Sequence, residues 1–212
     1  MREIDFAPFG LAKKITLPAF VVDQKIVPGK PGIVLIDETH NDPSISNSIE
    51  SARLLVEASI ANTFGAEHFC GDTAGGSLHA IGNDPTFVHG VQKLCPGARL
   101  IGVDHKQHFL ELTALDERLQ NERADVVDPL HKHPDDAKKL AAFDAAAKNK
   151  IREHPLQLER SKHFLKTLIE KSGKGPVLVL NAGASHNTHI IDLLLNDDYS
   201  YIRLRPDGYP CA

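Results

Sequence analysis

Short apolar runs that end in ionisable residues and lead into helix-forming sequence constrain this chain most. Gly32-Ile33-Val34-Leu35-Ile36 is followed by Asp37-Glu38-Thr39-His40, Arg99-Leu100-Ile101-Gly102-Val103 by Asp104-His105, and Val177–Leu180 by the segment Asn181–His186. A continuous apolar run of this length, a polar loop and then a long helix is the pattern of a buried parallel strand. Glu67–Gly71 and Tyr199–Leu204 read as two further strands. Between them, helices are expected over about Asn47–Thr63 (stopped by Gly65), Pro85–Leu94, Leu110–Val127, Pro134–Asn149, Leu156–Ser172 and His189–Leu195, from their apolar periodicity or their content of Ala, Leu, Lys and Glu. The alternation predicts an α/β fold with a mainly parallel sheet and helices on both faces. No strand separates the helices that lie between the third and fourth core strands, so residues 106–174 read as a helical insert. It is either a cap over the carboxyl edge of the sheet or a layer beside it. Residues 1–31 are extended, with Ile15–Asp23 and Lys25–Val27 β-prone but broken by Pro18, Pro28 and Pro31, which predicts an edge strand or hairpin packed on the main sheet. No linker marks a second domain, so 1–212 reads as one.

Composition removes several functions. Lys and Arg total 24 against 28 Asp and Glu, a net charge of −4, so there is no cationic excess for a nucleic-acid backbone. No run approaches the ~18 apolar residues of a membrane span. Cys70, Cys95 and Cys211 show no CxxC spacing and form neither a disulfide framework nor a cysteine zinc site. With acids and prolines near the N-terminus in place of a signal sequence, a reduced, cytoplasmic setting is expected. Twelve histidines point instead to metal or acid–base chemistry.

Parallel sheets bind ligands outside the carboxyl ends of their strands. The expected site therefore collects Glu38 and His40 after the first strand, Asp104 after the third and His186 after the fourth. Asp72, after the second, reads equally well as a turn or helix cap. Val34–Asn41 and Val179–Asn187 also resemble each other, each an aliphatic strand, a polar turn and then His-Asn. Glu38, His40 and His186 could together hold a divalent metal, or shuttle protons, with Asp104 as the orienting carboxylate. The spacings His105/His108, His186/His189 and His131/His133 arise readily among twelve histidines and carry less weight. Gly71–Gly76 lacks the order of known phosphate loops, and the Lys/Glu-rich stretches around Lys138–Lys171 read as solvated helix faces.

Asp37-Glu38-Thr39-His40 resembles the Gly-Glu-x-His signature of a superfamily that includes TraB-like proteins, Tiki proteases, erythromycin esterases and ChaN-like haem-binding proteins, with Asp37 in place of the glycine. Gly183-Ala184-Ser185-His186, followed by Ile190–Leu195, is similar to the family's late Gly-x-x-His and leucine-paired helix, and Ile101–Asp104 to its Gly-x-Asp segment. The resemblance implies a hydrolase acting on an ester or peptide bond of a small-molecule or peptide substrate, with a divalent metal in some members. It implies as the alternative a non-catalytic domain that binds haem, iron or another small ligand. A regulatory domain that keeps the fold without the chemistry is a third expectation, prompted by Asp37.

Overall fold

The computed structural model describes residues 1–11, 13–38, 42–82, 85–127, 133, 135–172, 177–197 and 199–210. In chain order these form β1 (Arg2–Asp5), β2 (Lys14–Leu17), β3 (Ala19–Lys25), β4 (Gly32–Glu38), α1 (Asp42–Glu57), β5 (Thr63–Ala66), β6 (Phe69–Asp72), β7 (His79–Ala80), α2 (Thr86–Leu94), β8 (Arg99–Val103), α3 (Lys106–Ala124), α4 (Asp136–Arg152), α5 (Pro155–Ser172), β9 (Val177–Gly183), α6 (Ala184–Leu195) and β10 (Ser200–Pro206). β1 and β2 make a two-stranded antiparallel sheet, and the other eight strands form one sheet in the order β3-β10-β4-β9-β5-β8-β6-β7. Its five inner strands, β10, β4, β9, β5 and β8, are parallel, while β3, β6 and β7 pair antiparallel. The fold is therefore α/β with a mixed, mostly parallel sheet.

Alternation along the strands sorts the apolar residues into two clusters. Val34, Ile36, Val177, Val179 and Phe64 pack with Ala52 and Leu55 of α1, Val88 and Val91 of α2, and the β1–β2 hairpin. Ile33, Leu35, Leu178, Leu180 and Val103 pack with Phe164 and Leu168 of α5 and Ile190 and Leu194 of α6. Fully burying each such side chain stabilises the fold by about 1.5–3 kcal/mol. The two resembling segments lie side by side: β4 and β9 pair in register as Val34↔Val179, Leu35↔Leu180, Asp37↔Ala182 and Glu38↔Gly183.

The region after α1 departs from expectation. The helix ends at Glu57, and Thr63 opens β5, a buried strand that pairs with both β9 and β8. Gly65 does not stop a helix; it sits inside this strand because a Cβ there would meet Val103 at 2.9 Å and Leu180 at 3.0 Å. β6 then runs antiparallel to β8, with Asp72 opposite Ile101 and Cys70 opposite Val103. Asp72 is thus turned away from the carboxyl edge, where it accepts from Ala74 N–H and pairs with Arg99. Gly71–Gly76 contains a 3-10 turn over Thr73–Gly75, not a phosphate loop, and Gly71 has φ +94° with no room for a side chain against the Ser77 carbonyl.

Sheet order fixes where a crevice can open. From β5 the next core strand is β8 on one side, whereas from β9 it is β10 on the other. Connections that diverge from neighbouring strands leave a gap at their carboxyl ends. That gap lies between β9 and β5, at Gly183 and Glu67. Among the described residues no helix is long and apolar enough to cross a membrane.

Candidate functional site

Glu67 follows β5 directly, and its backbone N–H continues the pairing to Asn181 O. Its two carboxylate oxygens have different neighbours. Oε2 accepts the Gly183 N–H at 2.6 Å. Oε1 faces His68 Nε2 at 3.3 Å, Arg160 Nη2 at 3.4 Å and His186 Nε2 at 3.5 Å. Arg160 comes from α5 and is held by a forked pair to Asp104, Nε to Oδ1 at 3.0 Å and Nη2 to Oδ2 at 2.6 Å. Such bidentate pairs fix both distance and orientation. Asp104 also accepts from the backbone N–H groups of His105 and His68.

His68 adopts φ +62°, a conformation that few residues other than glycine take. That backbone lets one residue present its N–H to Asp104 and its ring to Glu67. Histidine is among the side chains that tolerate the strain, which costs roughly 1–2 kcal/mol. Its ring also packs edge-on against Phe109 with centroids 5.3 Å apart. On the other side of Glu67, His186 is enclosed by Phe164 and by Ser161, whose Oγ lies 2.8 Å from its Nδ1. Ser161 has one proton, and Gln157 O and His189 Nδ1 are also within its reach. Giving that proton to His186 sets the tautomer whose Nε2–H points at Glu67.

These environments separate the two imidazoles. Burial dominates at His186 and pushes its pKa down, so the ring is neutral near pH 7. Burial also opposes protonation of His68, but its bond to Glu67 and the charges of Glu67 and Asp104 prevail and raise its pKa. For Glu67, burial resists ionisation, yet His186, His68 and Arg160 outweigh it and hold the carboxyl well below the usual range. His68 is the most open member of the group, its side chain 21% exposed against 9% for Glu67 and less for the others.

Of the residues expected from sequence, Asp104 and His186 lie in this cluster. Glu38 ends β4 beside Gly183, and alternation directs it to the Ile36 side of the sheet, opposite Asp37. His40 and Thr39 lie outside the described residues. The members not anticipated are Glu67, His68, Arg160 and Ser161. His105 and His108 stack with centroids 4.0 Å apart, and His105 Nδ1 accepts the His108 N–H as an N-cap. His131 also lies outside the described residues.

Ligand atoms of Glu67, His68 and Asp104 lie within 4.8 Å of one another, a spacing able to hold a divalent ion; Glu38 and His186 are not in this group. Each Asp104 oxygen, however, already takes two donors, one of them from Arg160. An ion bound there must displace the guanidinium or sit beside its charge, so the donor set fits a metal only with Arg160 drawn aside.

A second polar cluster lies along the same edge. Asp37 is fully buried and accepts from Arg203 Nε at 2.7 Å, Arg205 Nε at 3.1 Å and Asn187 Nδ2 at 3.0 Å. Asn181 of β9 is 1% exposed, and among the described residues neither of its amide atoms is hydrogen-bonded. Compared with protein-family models, curated proteins and solved structures, the chain matches none of them.

Proposed function

We propose that this chain is a hydrolase of ester or peptide bonds centred on Glu67, His68, Asp104, Arg160 and His186. One observation carries the reading: two imidazoles converge on a single carboxylate oxygen beside a guanidinium fixed by a second carboxylate. Acyl transfer needs a proton carrier at the attacking water and leaving group, and a positive group where the carbonyl oxygen gains charge. His68, the most exposed member, is the proton carrier that meets substrate. Glu67 orients it, His186 holds the same carboxylate oxygen by pointing its Nε2–H at it, and Arg160 stabilises the oxyanion. The family resemblance narrows the bond to an ester or a peptide. In the same reading the substrate is a small molecule or peptide, helices cover both faces of the sheet, α3–α5 are an insert whose α5 forms a layer against one face, and the protein acts in the cytoplasm.

A metal-assisted form is favoured by the close grouping of Glu67, His68 and Asp104. These residues would hold the ion, which would supply Lewis-acid polarisation of the carbonyl oxygen. The test is hydrolysis of a panel of activated esters and short peptides by the parent, His68→Asn and His186→Asn, with metal content measured after purification without chelators or a histidine tag. Activity in the parent that survives undiminished in both variants overturns the assignment. Stoichiometric metal lost in His68→Asn selects the metal-assisted form.

A further inference from the structure

The cavity beside the second cluster is lined by side chains whose charges are not balanced among the described residues. It holds about 550 Å3 between α6, the end of β10 and the end of α4, with Arg152, Glu153, Ser185, Thr188, Arg203 and Arg205 on its walls. That volume is in the range of small-molecule sites, roughly 300–1,000 Å3. Among the described residues, three guanidiniums face two carboxylates, Glu153 on the wall and Asp37 behind it, an excess of one positive charge. Arg203 spends its nitrogens inside the protein, Nε on Asp37, Nη1 on Thr188 and Nη2 on Ala184 O. Arg205 differs. Its Nε is tied to Asp37 and its guanidinium stacks on Tyr209, but Nη1 and Nη2 meet no acceptor among the described residues. The opening turn of α6 lies on the same wall and has no side-chain cap at Gly183. The positive end of the helix dipole adds a second source of positive potential.

We propose that this cavity binds the phosphate group of a small molecule. A guanidinium fork with both terminal nitrogens free matches two phosphate oxygens. Ser185 offers a hydroxyl donor to the third, and the excess cationic charge favours a dianion over a carboxylate. The remaining volume takes the organic part of the ligand. Binding here does not depend on the Glu67 cluster being catalytic, because the readout is association and not hydrolysis.

Calorimetric titration of the full chain at low salt with inorganic phosphate tests the proposal, with acetate as the comparison anion. Saturable binding is expected for phosphate and weaker binding for acetate. Arg205→Gln should weaken phosphate binding at least about tenfold, because the two charge-assisted bonds of the fork are lost. Arg152→Gln, whose Nη2 meets only the exposed Glu153 at 3.6 Å among the described residues, should weaken it severalfold without touching the buried Asp37. Arg53→Gln, on α1, should leave it unchanged. No saturable phosphate binding, equal affinity in the parent and Arg152→Gln, or an equal loss in Arg53→Gln overturns the proposal. Acetate bound as tightly as phosphate overturns the phosphate assignment.

Discussion

Two buried ionic clusters sit along one edge of the same sheet, and they are built with opposite surpluses. Around Asp37, one carboxylate serves two guanidiniums and an amide, and the excess is positive. Around Arg160, one guanidinium serves two carboxylates, and the excess is negative. The first cluster ties β4, β10 and α6 together through one carboxylate, two guanidiniums and an amide. The second closes its balance with imidazoles, the side chains that gain and lose protons near pH 7. The same kind of salt bridge therefore makes a clamp in one place and a proton-handling centre in the other, according to what completes it.

The largest expected effect comes from breaking the clamp. Asp37→Ala leaves two guanidiniums facing a buried cavity and should cost about 3–5 kcal/mol in denaturant unfolding. A loss below ~1 kcal/mol would mean that water already reaches the pair. Next is His68→Asn, which keeps a residue tolerant of positive φ and removes the imidazole. Hydrolysis should fall roughly 10²–10⁴-fold while stability shifts by under ~1 kcal/mol. His68→Val should add a destabilisation of about 1–2 kcal/mol, because a β-branched residue resists φ +62°. Equal stability of the Asn and Val variants would remove the argument from backbone strain.

A smaller effect separates the two sides by pH. Tyr201 of β10 has its pKa pushed up to about 12, by burial first and then by its bond to Asp23. The folded value lies above the unfolded one, near 10. Its contribution is therefore complete below pH ~10 and is lost as pH rises towards 12, on the order of 2 kcal/mol. Tyr201→Phe should abolish that alkaline loss in unfolding experiments and delete the latest step of the tyrosine absorbance titration. The smallest effect concerns Asn181, whose amide is buried without hydrogen-bond partners among the described residues. Asn181→Val should raise stability by about 1 kcal/mol, as expected when an unsatisfied polar group is replaced. A loss of stability would show that the amide is used.

Most of the framework was legible in the sequence because its signals are long. β4, β8 and β9 are uninterrupted aliphatic runs, and α5 and α6 repeat apolar residues at helical spacing. β5 was not, since Thr63-Phe64-Gly65-Ala66 is four residues with no period and a glycine that imitates a helix stop. Missing β5 hid Glu67, because a residue is recognised as a strand-end group only once its strand is seen. Arg160 was hidden differently. It lies in a Lys/Glu-rich helix that reads as solvated, although Arg160, Phe164 and Leu168 stand four apart on the buried face. That spacing was the available signal. Asp104 and His186 were accessible because each follows a strong aliphatic strand.

The sheet order has a consequence for how the molecule comes into being. β9 inserts between β4 and β5, two strands made more than a hundred residues earlier. Until Val177–Gly183 arrive, those two strands have an unfilled slot between them and expose bare edges to whatever is nearby. During synthesis the residues before β9 can form helices and the β1–β2, β5–β8, β6–β8 and β6–β7 pairs but cannot close the sheet. The last strands therefore act as a late-arriving keystone. Folding should be slow for a chain of this size, dominated by pairings distant in sequence, and the unfinished intermediate is a natural client for chaperones that shield strand edges.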